Sequence, residues 1–163
     1  MKKKNVLFLV LVLVFGLFLV TGCGNKVENL TASLEEIMTE VYGDIPEEEL
    51  PMMLSNIEVT EELEEGFLGT TEIEYKEALA SESMVGSIAH SVVLVRLADD
   101  ATTEDIEEAK QKIKENVNPR KWICVEVQEE NVIVDNKGNK IILIMSDDHA
   151  KTIQTNFQNI ENK

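Results

Sequence analysis

The side chains of this 163-residue chain with chemistry to offer are two cysteines, two histidines and a large surplus of carboxylates. Cys124 is flanked directly by neither a histidine nor a base and falls in a predicted strand, where a free cysteine behaves as a small buried hydrophobe. His90 alternates in phase with Ile88, Val92 and Leu94, as a sheet histidine satisfied by its neighbours would. A His90–Cys124 pair would require two strands to bring them together. Asp147-Asp148-His149 sets three metal-competent groups in a row, but adjacent helical residues point in different directions, and acids at a helix start serve its cap and dipole. In Asp135-Asn136-Lys137-Gly138 the order of a calcium loop fails, because Lys137 stands at a ligand position and no glutamate closes the loop. The Glu-rich stretches 47–49, 58–65 and 72–77 read as a solvated surface, with loose Ca²⁺ binding or a basic partner as the functional alternatives. No Gly-rich phosphate loop, nucleophile elbow, HExxH or CxxC occurs, so no catalytic residue, metal ligand or cofactor is assigned.

The remaining cysteine has a specific setting. Lys2, Lys3 and Lys4 precede an apolar run from Val6 to Val20 broken only by Gly16, the layout of a bacterial export signal. That run of 15 residues is short of the roughly 20 that a bilayer-spanning helix needs. It ends in Val20-Thr21-Gly22-Cys23, which resembles the lipobox of bacterial lipoproteins. The resemblance implies cleavage between Gly22 and Cys23 and a diacylglycerol on the Cys23 sulfur. Residues 1–22 are then a signal peptide, 23–27 the lipidated cysteine with a short tether, and 28–163 a single α+β domain. The expected location is the extracytoplasmic face of the cell membrane, since two acyl chains make attachment stable.

Charge narrows the partners. Residues 24–100 carry 19 acids and 3 bases, whereas residues 101–163 carry 12 acids and 9 bases. So large an excess of acid over base argues against nucleic acid as a partner, because its binding depends on Lys and Arg neutralising phosphates. With Cys23 lipidated, Cys124 has no thiol to pair with, so the core must hold without a disulfide.

The elements that would position these groups follow from periodicity. Val27, Leu30, Leu34, Ile37, Met38 and Val41 form a helical stripe that ends near Gly43. Pro46 and Pro51 limit Glu47 to Leu54 to a turn or two. Thr60 caps a short helix through Leu63 and Phe67 that stops at Gly69, and Tyr75 with Leu79 suggests another over 72–80. The acidic amino-terminal half is thus expected to be helical. Ser87 to Leu97 is a β-branched strand whose Val92 to Val95 are apolar without alternation, as a run covered on both faces is, and Glu82 to Val85 could pair with it across Gly86 or form its own short edge strand. Thr102 with Asp105 starts a helix along Ile106, Ala109, Ile113 and Val117, and Asn118-Pro119 stops it. Strands at 122–128, 132–134 and 141–145 follow, the last two joined by a hairpin at Gly138. Ser146 or Asp147 then caps a terminal helix along Ala150, Ile153, Phe157 and Ile160. The expected fold is α+β, with helices covering one face of a mainly antiparallel sheet of about four to five strands.

Four features together are similar to a family of small Firmicutes lipoproteins known as a domain of unknown function: Phe67-Leu68-Gly69, the acidic segment Glu72 to Tyr75, the apolar strand before Asp99, and Lys137-Gly138-Asn139 leading into Ile141 to Asp148. The likeness covers roughly residues 30–160, and the proline expected after Gly69 is missing. It implies a location and a fold but no catalytic residue. The expectation is therefore a membrane-anchored, non-catalytic binding domain at the cell envelope. Its partners would be the membrane, through the lipid on Cys23, and an envelope protein, wall component or small ligand. The alternative is a hydrolase or transferase on envelope material with two carboxylates of the acidic half as acid and base.

Overall fold

A computed structural model describes residues 28–162. The expected signal peptide, its Gly22–Cys23 cleavage junction and the whole tether to residue 27 lie outside the described residues. Five strands make one antiparallel sheet: β1 (Leu54–Glu58), β2 (Glu77–Ser83), β3 (His90–Arg96), β4 (Val132–Lys137) and β5 (Lys140–Ser146), in the order β1-β2-β3-β5-β4. Four helices accompany them: α1 (Leu34–Val41), α2 (Glu64–Leu68), α3 (Thr103–Asn116) and α4 (Ala150–Asn159). The fold is α+β.

The sheet is covered on both faces rather than one. On one side Leu34, Ile37, Met38 and Val41 of α1 and Ile153 and Phe157 of α4 pack on Leu79, Val92, Leu94, Ile142 and Ile144. On the other, Ile106, Ala109 and Ile113 of α3, with Phe67 and Leu68 of α2, pack on Ala80, Val93, Val95, Ile141 and Leu143. Alternate residues of a strand face opposite ways, so the unbroken apolar runs of β3 and β5 follow directly from this double cover.

Local chemistry sets the helix starts. Ser33 and Glu36 form a reciprocal capping box that begins α1 at Leu34, later than the stripe from Val27 suggests, and Thr102 and Asp105 do the same for α3. Gly69 ends α2 at φ 74, and a Cβ there would lie 2.3 Å from the backbone carbonyl of Asn116. Any other residue would push α2 off the end of α3.

Three expected elements are corrected. Residues 72–80 are not a helix; the second half of that span belongs to β2, where Ala78 and Ala80 face one core and Leu79 the other. The four-residue spacing of Tyr75 and Leu79 is too little periodicity to resist pairing with β1 and β3 at once. Residues 122–128 form no strand, because neither sheet edge pairs with them and only Val127 of that stretch is buried. The terminal helix begins at Ala150, with His149 at the cap position and no side-chain cap. Asp147 turns away to accept from the amide of Gln128 and from Asn131 Nδ2, both at 2.9 Å.

Candidate functional site

The candidate groups do not converge on a catalytic centre. Cys124 is exposed, at φ 62 in the irregular 117–128 segment, which overturns the expected buried strand cysteine. His90 is a buried sheet residue at the start of β3, but it is only half satisfied: Nε2 lies 2.8 Å from the Tyr42 hydroxyl. Its Nδ1 has no hydrogen-bond partner, which leaves no contact for a Cys124 dyad. Burial pulls the ring down to a pKa of about 4, and nearby His149 adds to the shift. Burial also raises the Tyr42 hydroxyl above its ordinary range. Asp147, Asp148 and His149 stay apart in function: Asp147 braces the 128–131 turn, Asp148 is exposed, and the His149 ring meets the carbonyl of Glu49 at 3.0 Å. Among the described residues, no group of three or more His, Cys, Asp or Glu could hold a metal ion.

The acidic stretches divide between surface and cleft. Glu72, Glu74, Asp100, Asp105 and Glu108 line an open cleft of about 400 Å³ beside the start of α3, with Lys112 as its one cation. Two carboxyls near this end have displaced pKa values, and both go down: Asp99 beside Lys76, and Asp105 through its bonds to Thr102. A general acid requires the opposite shift. Glu58, Glu61, Glu62 and Glu65 are exposed outside the cleft.

A different pair of features stands out at the sheet's open end and edge. Sequence spacing gave little sign of either. Met52 and Met53 before β1, Met84 after β2, and Ile123 are 60 to 70% exposed. The Met84 amide donates to the Met53 carbonyl at 3.1 Å, and Ile123 donates to the Gly86 carbonyl at 2.8 Å, so the fold gathers all four at one end. Met53 and Cys124 are the described non-glycine residues at positive φ, and both flank this end. Behind it, Lys121 reaches Glu82 at 2.8 Å and lies 4.6 Å over the Phe67 ring, while Trp122 Nε1 donates to Glu82 at 3.0 Å. This cluster straps the 117–128 segment to β2. Burial pushes the Lys121 ammonium down, and Glu82 partly offsets that.

The adjoining edge is β1. Val59 donates to Ala78 and Met84 to Met53, so odd-numbered residues face β2 and Leu54, Asn56 and Glu58 direct their N–H and C=O groups outward. Those outward groups make no hydrogen bond within the described residues.

The opposite end of the sheet receives residues 28–30. A Cβ on Gly138 would lie 2.6 Å from the Glu28 carbonyl, so the β4–β5 turn accepts the 28–30 segment only with glycine there. Asn29 Oδ1 accepts from the Asn139 amide at 3.0 Å, and Lys140 Nζ donates to the Leu30 carbonyl.

No protein-family model, curated protein or solved structure matches the chain. Among the described residues, no helix is long and apolar enough to cross a membrane.

Proposed function

We propose that the chain is a lipoprotein anchored through Cys23 at the extracytoplasmic face of the cell membrane, and that its domain binds an envelope partner without catalysing a reaction. The observation that carries this reading is the position of Cys23 directly after a lysine-led apolar run and two small residues, Thr21 and Gly22. Kinship with the small Firmicutes lipoproteins belongs to the same proposal.

Geometry gives the reading a direction. Five residue steps separate Cys23 from Glu28, a reach of at most about 17 Å. Glu28 lies at the β4–β5 turn. A lipid on Cys23 would keep that turn within this reach of the bilayer, with the methionine-rich end one strand length, about 20 Å, from the turn.

Labelled palmitate supplied to cells making the full chain should enter the wild type and leave the Cys23→Ala chain unlabelled and uncleaved. Label retained in Cys23→Ala would sink the anchoring. Turnover of wall-derived material by the purified protein, lost on Glu72→Gln or Glu74→Gln, would replace binding with hydrolysis.

A further inference from the structure

Every sheet edge offers a row of backbone donors and acceptors that another strand can use. Here the two edges are not equivalent. Along β4 the outward carbonyls of Val132 and Asn136 accept from Lys114 Nζ and Gln158 Nε2, and the outward amide of Asn136 meets its neighbour Asp135. Along β1, among the described residues, the six outward groups of Leu54, Asn56 and Glu58 have no such partner.

We infer that β1 is a strand-addition site, at which an extended segment of an envelope protein, with basic residues alternating with apolar ones, pairs along Leu54–Glu58. This deepens the binding function proposed above and rests on it. Main-chain pairing supplies the generic attraction in such complexes, while side-chain pockets and charge supply the choice of partner.

Charge selects the occupant. Residues 44–65, which include β1, hold nine acids and no lysine or arginine. Glu47, Glu48 and Glu49 are exposed just before the strand, Glu58 within it, and Glu61 and Glu62 just after it. A second copy would bring two such stretches of like sign together, which their mutual repulsion opposes. A segment bearing lysine or arginine meets a complementary field. The exposed Met52, Met53 and Met84 adjoin the first residue of β1, and unbranched, polarizable methionine accommodates apolar side chains of varied shape. Basic residues along the edge with an apolar anchor at the Leu54 end would engage all three features. The site also lies at the far side of the sheet from the Glu28–Gly138 contact, where a tether at Cys23 leaves it accessible.

The test uses the full chain in neutral detergent, with a short lysine–valine alternating peptide as the probe and its glutamate–valine counterpart as the control. The expected result is saturable binding of the lysine peptide alone, with slowed amide exchange at Leu54, Asn56 and Glu58. Asn56→Pro removes one outward donor and no bond to β2, so it should weaken binding by about tenfold or more while the unfolding midpoint holds. Met53→Lys with Met84→Lys should weaken it independently by repelling the probe. Equal binding of both peptides, failure of the lysine peptide to bind, indifference to both variants, or protection confined to Glu72, Glu74 and Asp100 would overturn the edge assignment.

A photo-crosslinking residue in place of Glu58 or of Glu74, in the anchored full chain in cells, separates this inference from the reading beneath it. Adducts from position 58 that Asn56→Pro abolishes support the edge. Adducts from position 74 alone leave a binding domain whose site lies elsewhere. Adducts between copies from position 58 overturn the charge-selected partner, and adducts from neither position remove the binding function with it.

Discussion

Along β4, side chains from both helical layers reach round to the strand's outer backbone, Lys114 from α3 and Gln158 from α4, while Lys110 holds the Asn136 side chain at 2.9 Å. Along β1 no helix does so, although α1 and α2 are the nearest in sequence. The difference follows from lengths and order. α3 has 14 residues and α4 has 10, long enough to lay polar side chains over β4, whereas α2 has five and ends at once on Gly69. Among the described residues, β4 leaves only Val134 of its outward-facing residues without a backbone partner, whereas β1 leaves Leu54, Asn56 and Glu58 all without one.

Truncation should reveal this first and most strongly. Leu143 in β5 is fully buried between β3 and β4, so Leu143→Ala should cost about 2–5 kcal/mol by lost transfer energy and a residual cavity. Ile57 in β1 is only partly buried, and Ile57→Ala should cost roughly half as much or less. Urea unfolding of the two variants measures the contrast, and equal losses would mean that β1 is as embedded as β5.

Acid should act next, at the β1 end. His90 is buried with its pKa lowered to about 4, against 6.5 in the unfolded chain. Above pH 6.5 both states are neutral and the group contributes no slope. Between those values the unfolded chain takes up a proton that the folded one refuses, so stability falls as pH drops and levels off below about 4. The full effect is on the order of 3 kcal/mol. Urea midpoints across that window should fall more steeply for the wild type than for His90→Gln. Parallel slopes would show that the ring is not the source.

The strap over the β1 end should respond more modestly. The side chains of Glu82 and Lys121 are each 16% exposed, so Glu82→Ala leaves a largely buried ammonium and an unpaired Trp122 Nε1. A loss of about 2 kcal/mol is expected, below the range for fully buried pairs. Lys121→Met, which keeps an unbranched apolar side chain beside Phe67 without the charge, should recover part of that loss in the double variant. No recovery would count against the ion pair as the cause.

How legible all this was depended on whether a signal was local. The capping box at Thr102, the Gly138 turn and the runs of β3 and β5 are written in adjacent residues, and they fold as read. β2 carries a helical signal in its sequence because Glu, Ala and Leu favour helices in isolation, and only its two partner strands decide otherwise. The apparent strand at 122–128 has alternation but no edge to join, so Ile123 and Cys124 face solvent. The candidate site was the least legible part, since Met52, Met84 and Ile123 meet only through pairing across more than thirty residues of chain. Glu-rich composition gave the charge of the surface but not which backbone it surrounds.

The smallest expected effect discriminates best between the edges. Proline in a sheet is tolerated where the lost N–H points outward and no ladder bond depends on it. At both Asn56 and Asn136 the amide points outward, so the β ladder is spared in each case. At position 136, however, proline also removes the amide bond to Asp135, the side-chain bond to Lys110 and the bond from Nδ2 to the Gly138 carbonyl. Asn136→Pro should therefore cost about 1–2 kcal/mol, whereas Asn56→Pro should stay within roughly 0.5 kcal/mol of the wild type. Thermal unfolding of the full chain, wild type beside each variant, reads the difference directly. A large loss at Asn56 would mean that its outward amide already has work within the fold, and the β1 edge would then be no more open than β4.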